Sequence, residues 1–204
     1  MAASSRQSEP QKPSTLMTAA NIVTLVRVAC IFVWLLLAGL CGPAATTEVS
    51  WAHLGLAAFY GLIAGTDSLD GYLARSRNEV TDFGKFLDPI ADKLVVVAAL
   101  LYLMDASLVS LWVIVVIVTR EFLVSGLRMV VASKGVVVAA SRLGKWKTAT
   151  TMGAIAGYLV AMALPVGPFT SLLYGASWIA MAAAVVLTLW SGADYFMKCW
   201  AYIR

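Results

Sequence analysis

Of the 204 residues, 61% are apolar and only 13% are charged, against roughly 45–50% and about 25% in an ordinary soluble domain. A water-soluble globule of this length has no room to hide so much apolar surface, so lipid must solvate most of it and the chain reads as an integral membrane protein. The net charge of +4 rests on basic residues tied to membrane-edge segments, which suits anionic headgroups and phosphorylated substrates and speaks against a nucleic-acid partner.

Residues 1–18 are rich in Ser, Pro, Gln and Ala and lack an apolar period, the composition of a flexible or surface-lying lead-in. Six apolar stretches follow, at 20–40, 51–74, 89–104, 108–129, 148–164 and 171–193. Each approaches the length that a hydrocarbon core of roughly 30 Å requires. Gly42-Pro43, Asp105 and the Pro165 to Pro168 segment punctuate them. The expected architecture is an all-α integral membrane bundle of six transmembrane helices occupying 19–204.

Connections 41–50, 105–107 and 165–170 contain no Lys or Arg. All fifteen basic residues fall in the lead-in, the other two loops, the helix halves beside those loops, or the C-terminal tail. By the positive-inside rule both termini and both charged loops face the cytoplasm, in a multi-pass protein of the cell membrane. Trp51, Tyr102, Trp112, Tyr174, Trp190 and Trp200 stand near span ends and read as interfacial anchors.

Cys30, Cys41 and Cys199 are scattered and form no CxxC pair, which argues against a disulfide framework or a zinc site. The single histidine, His53, is remote in sequence from the acidic residues of interest. Any metal must then be held by oxygen, which suits Mg²⁺, Mn²⁺ or Ca²⁺.

Six of the eleven acidic residues lie between positions 67 and 92. Asp67 and Asp70 are three apart and Asp88 and Asp92 four apart, so each pair shares a helix face. Two antiparallel helices joined by a short inner loop can turn these pairs toward each other, gathering four carboxylates around one small volume. Glu79 and Asp82, between them, read as solvated charges. Burying that many like charges is too costly without compensation, and one or two divalent cations provide it. The bland alternative, helix-end charges solvated among headgroups, predicts neither shared faces nor the accompanying glycines.

Those glycines clear space. Gly71 follows Asp70 directly, Gly84 precedes Asp88 by four, and Ala74 continues the small face begun at Gly71. A flat ligand can then approach the backbone closely. Arg75, about one turn beyond Gly71, offers a fork of donors to a phosphate. Small residues, carboxylates and one arginine together describe a pocket for a nucleotide diphosphate. Gly61 and Gly65 read instead as helix-packing positions.

The pattern Asp67-x-x-Asp70-Gly71-x-x-Ala74-Arg75, eight residues, Gly84-x-x-x-Asp88-x-x-x-Asp92 resembles the signature of the CDP-alcohol phosphotransferases at every fixed position and spacing. The resemblance implies six membrane helices, a homodimer, and Mg²⁺ or Mn²⁺ on Asp67, Asp70, Asp88 and Asp92. It implies CDP-diacylglycerol as donor, Asp92 as the catalytic general base, and Gly71, Ala74, Arg75 and Gly84 around the nucleotide, with Thr66 adding a hydroxyl. The segments 21–27, Thr119-Arg120-Glu121-Phe122, Ser125-Gly126-Leu127-Arg128 and 143–148 are most similar to the branch whose acceptor is sn-glycerol 3-phosphate. Sibling acceptors are serine, inositol and inositol phosphate.

A phosphorylated acceptor needs basic residues. Arg120 and Arg128 lie eight apart, about two turns, inside an apolar run where charge is expensive. Lys145 and Lys147 open the fifth span, and Glu121 is placed to orient a basic neighbour. Lys134, Lys198 and Arg204 read as topology charges. Two rivals of other classes fit less well. A divalent-cation transporter would set its acids near mid-membrane, whereas these sit beside Arg75, Arg77 and Lys85. Intramembrane prenyltransferases carry two separated Asp-rich motifs, and this chain has one.

Overall fold

A computed structural model describes residues 18–42, 44, 46–77, 82–135 and 142–203; the side chains of 19–20, 67–77, 82–83, 85–86, 142 and 201–203 lie outside that description. All regular structure among the described residues is helical: α1 (Ala19–Leu40), α2 (Trp51–Arg77), α3 (Asp82–Asp105), α4 (Leu111–Ser133), α5 (Arg142–Ala163) and α6 (Pro168–Ile203). One helix answers each of the six apolar stretches.

The differences lie at the ends. Five helices run past their apolar stretches at the charged end of the bundle: α2 to Arg77, α3 back to Asp82, α4 to Ser133, α5 back to Arg142 and α6 on to Ile203. Hydropathy marks the lipid boundary, while the hydrogen-bonded spiral continues through the polar turns beyond it. Pro89 lies inside α3 and does not open it. Its ring removes one backbone donor, which the helix tolerates here. At the opposite end α4 begins at Leu111, three residues later than its apolar stretch. Ser110 adopts an extended conformation and its Oγ accepts from the Trp112 N–H at 3.4 Å, so the serine acts as the N-cap. Ser107, at φ 60°, makes the tight turn before it.

α5 and α6 pack along each other most extensively. α1 lies against α2 and α3, α4 against α6, and α2 against α5. The larger core cluster draws on all six helices, around Trp34, Tyr60, Leu100, Leu103, Ile155 and Leu159. Trp34 is 2% exposed and donates its indole N–H to the Leu56 carbonyl at 2.9 Å. Tyr102 meets it edge-on at 5.5 Å, and Tyr174 lies 6.2 Å from Tyr158. These two tyrosines are therefore partly buried core residues and not the interfacial anchors their positions suggest. Trp51, Trp112, Trp190 and Trp200 are all more than half exposed, as anchors should be.

The connections at this end, which lack Lys and Arg, are tied together. Ser50 N–H donates to the Ala163 carbonyl at 2.8 Å and Val166 N–H to the Thr46 carbonyl at 3.0 Å. His53, 2% exposed, pairs its Nδ1 with Ser50 Oγ at 2.9 Å. The histidine is thus part of a loop clasp, at the opposite end of α2 from the aspartates.

The outer surface carries Phe32, Leu36, Leu40, Leu62, Trp112, Phe122, Leu172 and Trp178, each at least 60% exposed. Water would penalise such a surface and hydrocarbon would not. By length and hydropathy α1 (21–40) and α6 (168–200) are each able to cross a membrane. At the other end the buried Thr24, Arg27, Lys147 and Ser191 belong to the two clusters described next.

Candidate active site at the charged end of the bundle

α1 is apolar except for a few positions, and two of them point at α3. Thr24 and Arg27 are three apart and share a face. Thr24 Oγ1 donates to Asp88 Oδ1 at 2.7 Å, and Arg27 Nη1 donates to Asp92 Oδ1 at 2.7 Å. The two aspartates, four apart on α3, are therefore matched one to one by two residues of the neighbouring helix. Arg27 Nε donates to Thr66 Oγ1 at 3.2 Å, and Thr66 in turn donates to the Ile63 carbonyl at 2.7 Å. Thr66 immediately precedes Asp67, so Arg27 ties together the turn of α2 carrying one aspartate pair and the turn of α3 carrying the other.

The burial is asymmetric: the Arg27 side chain is 2% exposed and that of Asp92 43%. Arg27 is enclosed, and the carboxylate it holds is partly exposed. Asp88 is exposed as well, and Gly84 one turn before it is buried. Of the sequence-selected residues, Asp88, Asp92, Gly84 and Thr66 thus fall in one region. Asp67, Asp70, Gly71, Ala74 and Arg75 occupy the last turns of α2, and their side chains lie outside the described residues. Among the described residues no group of three or more metal-ligating side chains forms. The donor chemistry present, two accessible carboxylates on one helix face, fits a hard, oxygen-seeking cation.

A second polar cluster lies across α3. Glu121 on α4 accepts from Lys147 Nζ on α5 and from Arg120 Nη1 at 3.2 Å. Arg120 Nη2 donates to Ser191 Oγ on α6 at 3.0 Å. Lys93, next to Asp92, donates to Ser125 Oγ on α4 at 2.7 Å. Consecutive residues of α3 thus serve opposite clusters, Asp92 toward α1 and Lys93 toward α4. In this second group Lys93, Arg120 and Lys147 face one carboxylate among the described residues, Glu121, leaving there a positive excess that an anion would balance.

Arg120 and Lys147 are brought together as the sequence suggests, with Glu121 as their common partner. Arg128 and Lys145 are not part of that cluster. The Arg128 guanidinium lies 5.9 Å from the centroid of the Tyr195 ring, near the limit of a useful cation–π contact. Lys145 is exposed.

Sequence reasoning missed Thr24, Arg27, Lys93, Ser125 and Ser191. For Arg27 the signal was present, since it is the one charged residue in the 22 residues of α1, the same anomaly that marks Arg120 and Arg128. Ser125 and Ser191 carry no such signal, because serines are common at packed helix faces.

Comparison with known proteins adds a separate line. A family model for CDP-alcohol phosphatidyltransferase matches residues 17–190. The chain is 39% identical to the CDP-diacylglycerol–glycerol-3-phosphate 3-phosphatidyltransferase of Bacillus subtilis (strain 168), over 90% of this chain and 96% of that protein. It is 32% identical to the protein of that name in Pseudomonas fluorescens, over 92% of this chain and 93% of the relative. A cardiolipin synthase (CMP-forming) of Oryza sativa subsp. japonica is 34% identical, over 92% of this chain and 59% of its own length.

Proposed function

The chain belongs to the CDP-alcohol phosphatidyltransferase family, and we propose that it transfers the phosphatidyl group of CDP-diacylglycerol to sn-glycerol 3-phosphate. The products are phosphatidylglycerophosphate and CMP, a step of phospholipid biosynthesis. The observation that carries this reading is the juxtaposition, on the two sides of α3, of the accessible Asp88 and Asp92 and the basic group of Lys93, Arg120 and Lys147. The first suits a metal-bound pyrophosphate and the second a phosphorylated acceptor. The names borne by the Bacillus subtilis and Pseudomonas fluorescens relatives support the same donor and acceptor.

Asp67, Asp70, Asp88 and Asp92 would hold one or two Mg²⁺ or Mn²⁺ ions, which would supply charge neutralisation at the pyrophosphate. Gly71, Ala74, Arg75 and Gly84 line the cytidine and phosphate pocket, with Thr66 beside it. Asp92 takes the proton from the acceptor hydroxyl. Arg27 keeps its carboxylate in one orientation, which lowers the entropy lost on reaching the attacking geometry. Arg120 and Lys147 bind the acceptor phosphate, with Arg128 and Lys145 at the approach to it. All six helices cross the membrane, both termini and the site face the cytoplasm, and the working form is a homodimer.

The test is purified protein with CDP-diacylglycerol, Mg²⁺ and labelled glycerol 3-phosphate. The expected result is CMP release matched by label in lipid. Absence of CMP release with any alcohol acceptor sinks the enzyme reading. The likeness to a cardiolipin synthase motivates one further acceptor, phosphatidylglycerol, and CMP release with it alone would move the assignment within the family.

A further inference from the structure

We propose that Ser191 and Gly192, consecutive residues of α6, are positioning residues for the acceptor site, holding the Arg120 guanidinium where it meets the acceptor phosphate. This rests on the acceptor reading above and adds to it a helix that the sequence motifs leave out.

Gly192 stands far inside α6, which runs from Pro168 to Ile203, where glycine is a poor choice without a local reason. The reason is a close approach. A Cβ built at this position would lie 3.1 Å from Arg120 Cγ and 3.9 Å from its Nε, so a methyl group there needs the arginine stem to give by a few tenths of an ångström. The missing side chain is the slot in which the arginine lies.

Ser191 completes the slot. It is fully buried, and its Oγ donates to the Thr188 carbonyl at 3.2 Å while accepting from Arg120 Nη2 at 3.0 Å. With its proton committed to the helix backbone, the hydroxyl presents a lone pair to the guanidinium. Glu121 takes Nη1 from the other side, and Lys147 holds Glu121 in turn. The fork is gripped at two of its five N–H donors, and Nε, buried, has no hydrogen-bond partner among the described residues. A long side chain fixed before the ligand arrives loses little freedom on binding it. Arg120 is set in this way, with donors to spare for an anion.

Steady-state kinetics of the full-length protein in detergent or nanodiscs tests this. Gly192→Ala should raise the KM for glycerol 3-phosphate about tenfold and Ser191→Ala about fivefold, each with the KM for CDP-diacylglycerol unchanged. Both effects should vanish in an Arg120→Ala background, because they act through that side chain. Gly157→Ala is the packing control. Its Cβ would collide with Ser177 Oγ at the α5–α6 contact, so it should lower thermal stability and leave both KM values alone. If Gly192→Ala is too unstable to assay, the isosteric loss in Ser191→Ala decides the question by itself. Equal factors in the wild-type and Arg120→Ala backgrounds would overturn the positioning role and leave the acceptor reading intact. An unchanged acceptor KM in Arg120→Ala itself would remove both.

Discussion

The two polar clusters share one end of the bundle and sit on opposite sides of α3, yet they are built on opposite plans. On the α1 side, carboxylates stand at the opening and one buried arginine stands behind them. On the α4 side, cations converge on one carboxylate among the described residues, Glu121, which is partly buried at 22% exposure. Each cluster carries excess charge of one sign, a costly condition near a membrane unless a ligand of the other sign completes it. On the proposed reading a divalent cation would complete the first and a phosphate the second. The reaction brings these two ligands together, and α3 is the shared wall, with Asp92 and Lys93 as neighbours facing each way.

If the acidic side exists for metal, its loss should be the most severe. Asp88→Asn keeps the shape and the capacity to accept from Thr24 but removes the charge, so turnover should fall roughly a thousandfold or more while the protein remains folded in the membrane. Titration calorimetry with Mn²⁺ should show weakened binding in the same variant. Near-normal rates would break the comparison at its acidic half. Arg27→Ala should be next, lowering kcat by about 10–100-fold, as expected when a partner that orients a functional carboxylate is removed. Arg27→Lys should recover only part of this, because an ammonium cannot reach Asp92 and Thr66 with one planar fork. Full recovery would mean that charge alone matters there.

On the basic side, Glu121→Gln should free both Lys147 and Arg120 from their common anchor. We expect the KM for glycerol 3-phosphate to rise about tenfold, the scale of a lost charged hydrogen bond, with little change in the KM for CDP-diacylglycerol. A rise in the donor KM instead would show that the clusters are not separate in function.

How much of this the sequence carries depends on the kind of signal. The six helices are legible from their long apolar runs, and Asp88 and Asp92 from their helical spacing, which sets both against α1. The helix ends are not, since Arg142 through Lys147 are helical for reasons of backbone hydrogen bonding that hydropathy does not sense. Arg27 was legible in principle as a lone charge in α1. Ser191 and Gly192 were not, because a serine and a glycine in a membrane helix usually mean only close packing, and their pairing with Arg120 spans 71 residues of chain. Tyr102 and Tyr174 show the converse, aromatic residues near span ends that turn inward to the core.

The smallest effect tests the edge of the basic cluster. Arg120 and Arg128 look equivalent in sequence, since both are arginines in an apolar run two turns apart on α4. In the fold they differ, because Arg120 is held by Glu121 and Ser191 while Arg128 lies over Tyr195 beside the small packing group of Val124, Val131 and Cys199. A side chain at the approach to a phosphate, held mainly by a weak cation–π contact, should contribute modestly to binding. Arg128→Ala should therefore raise the KM for glycerol 3-phosphate by about threefold, well below Arg120→Ala measured alongside it. Equal effects would extend the acceptor site along α4 to Arg128. An unchanged KM would confine it to the group around Glu121 and leave Arg128 a packing and topology charge.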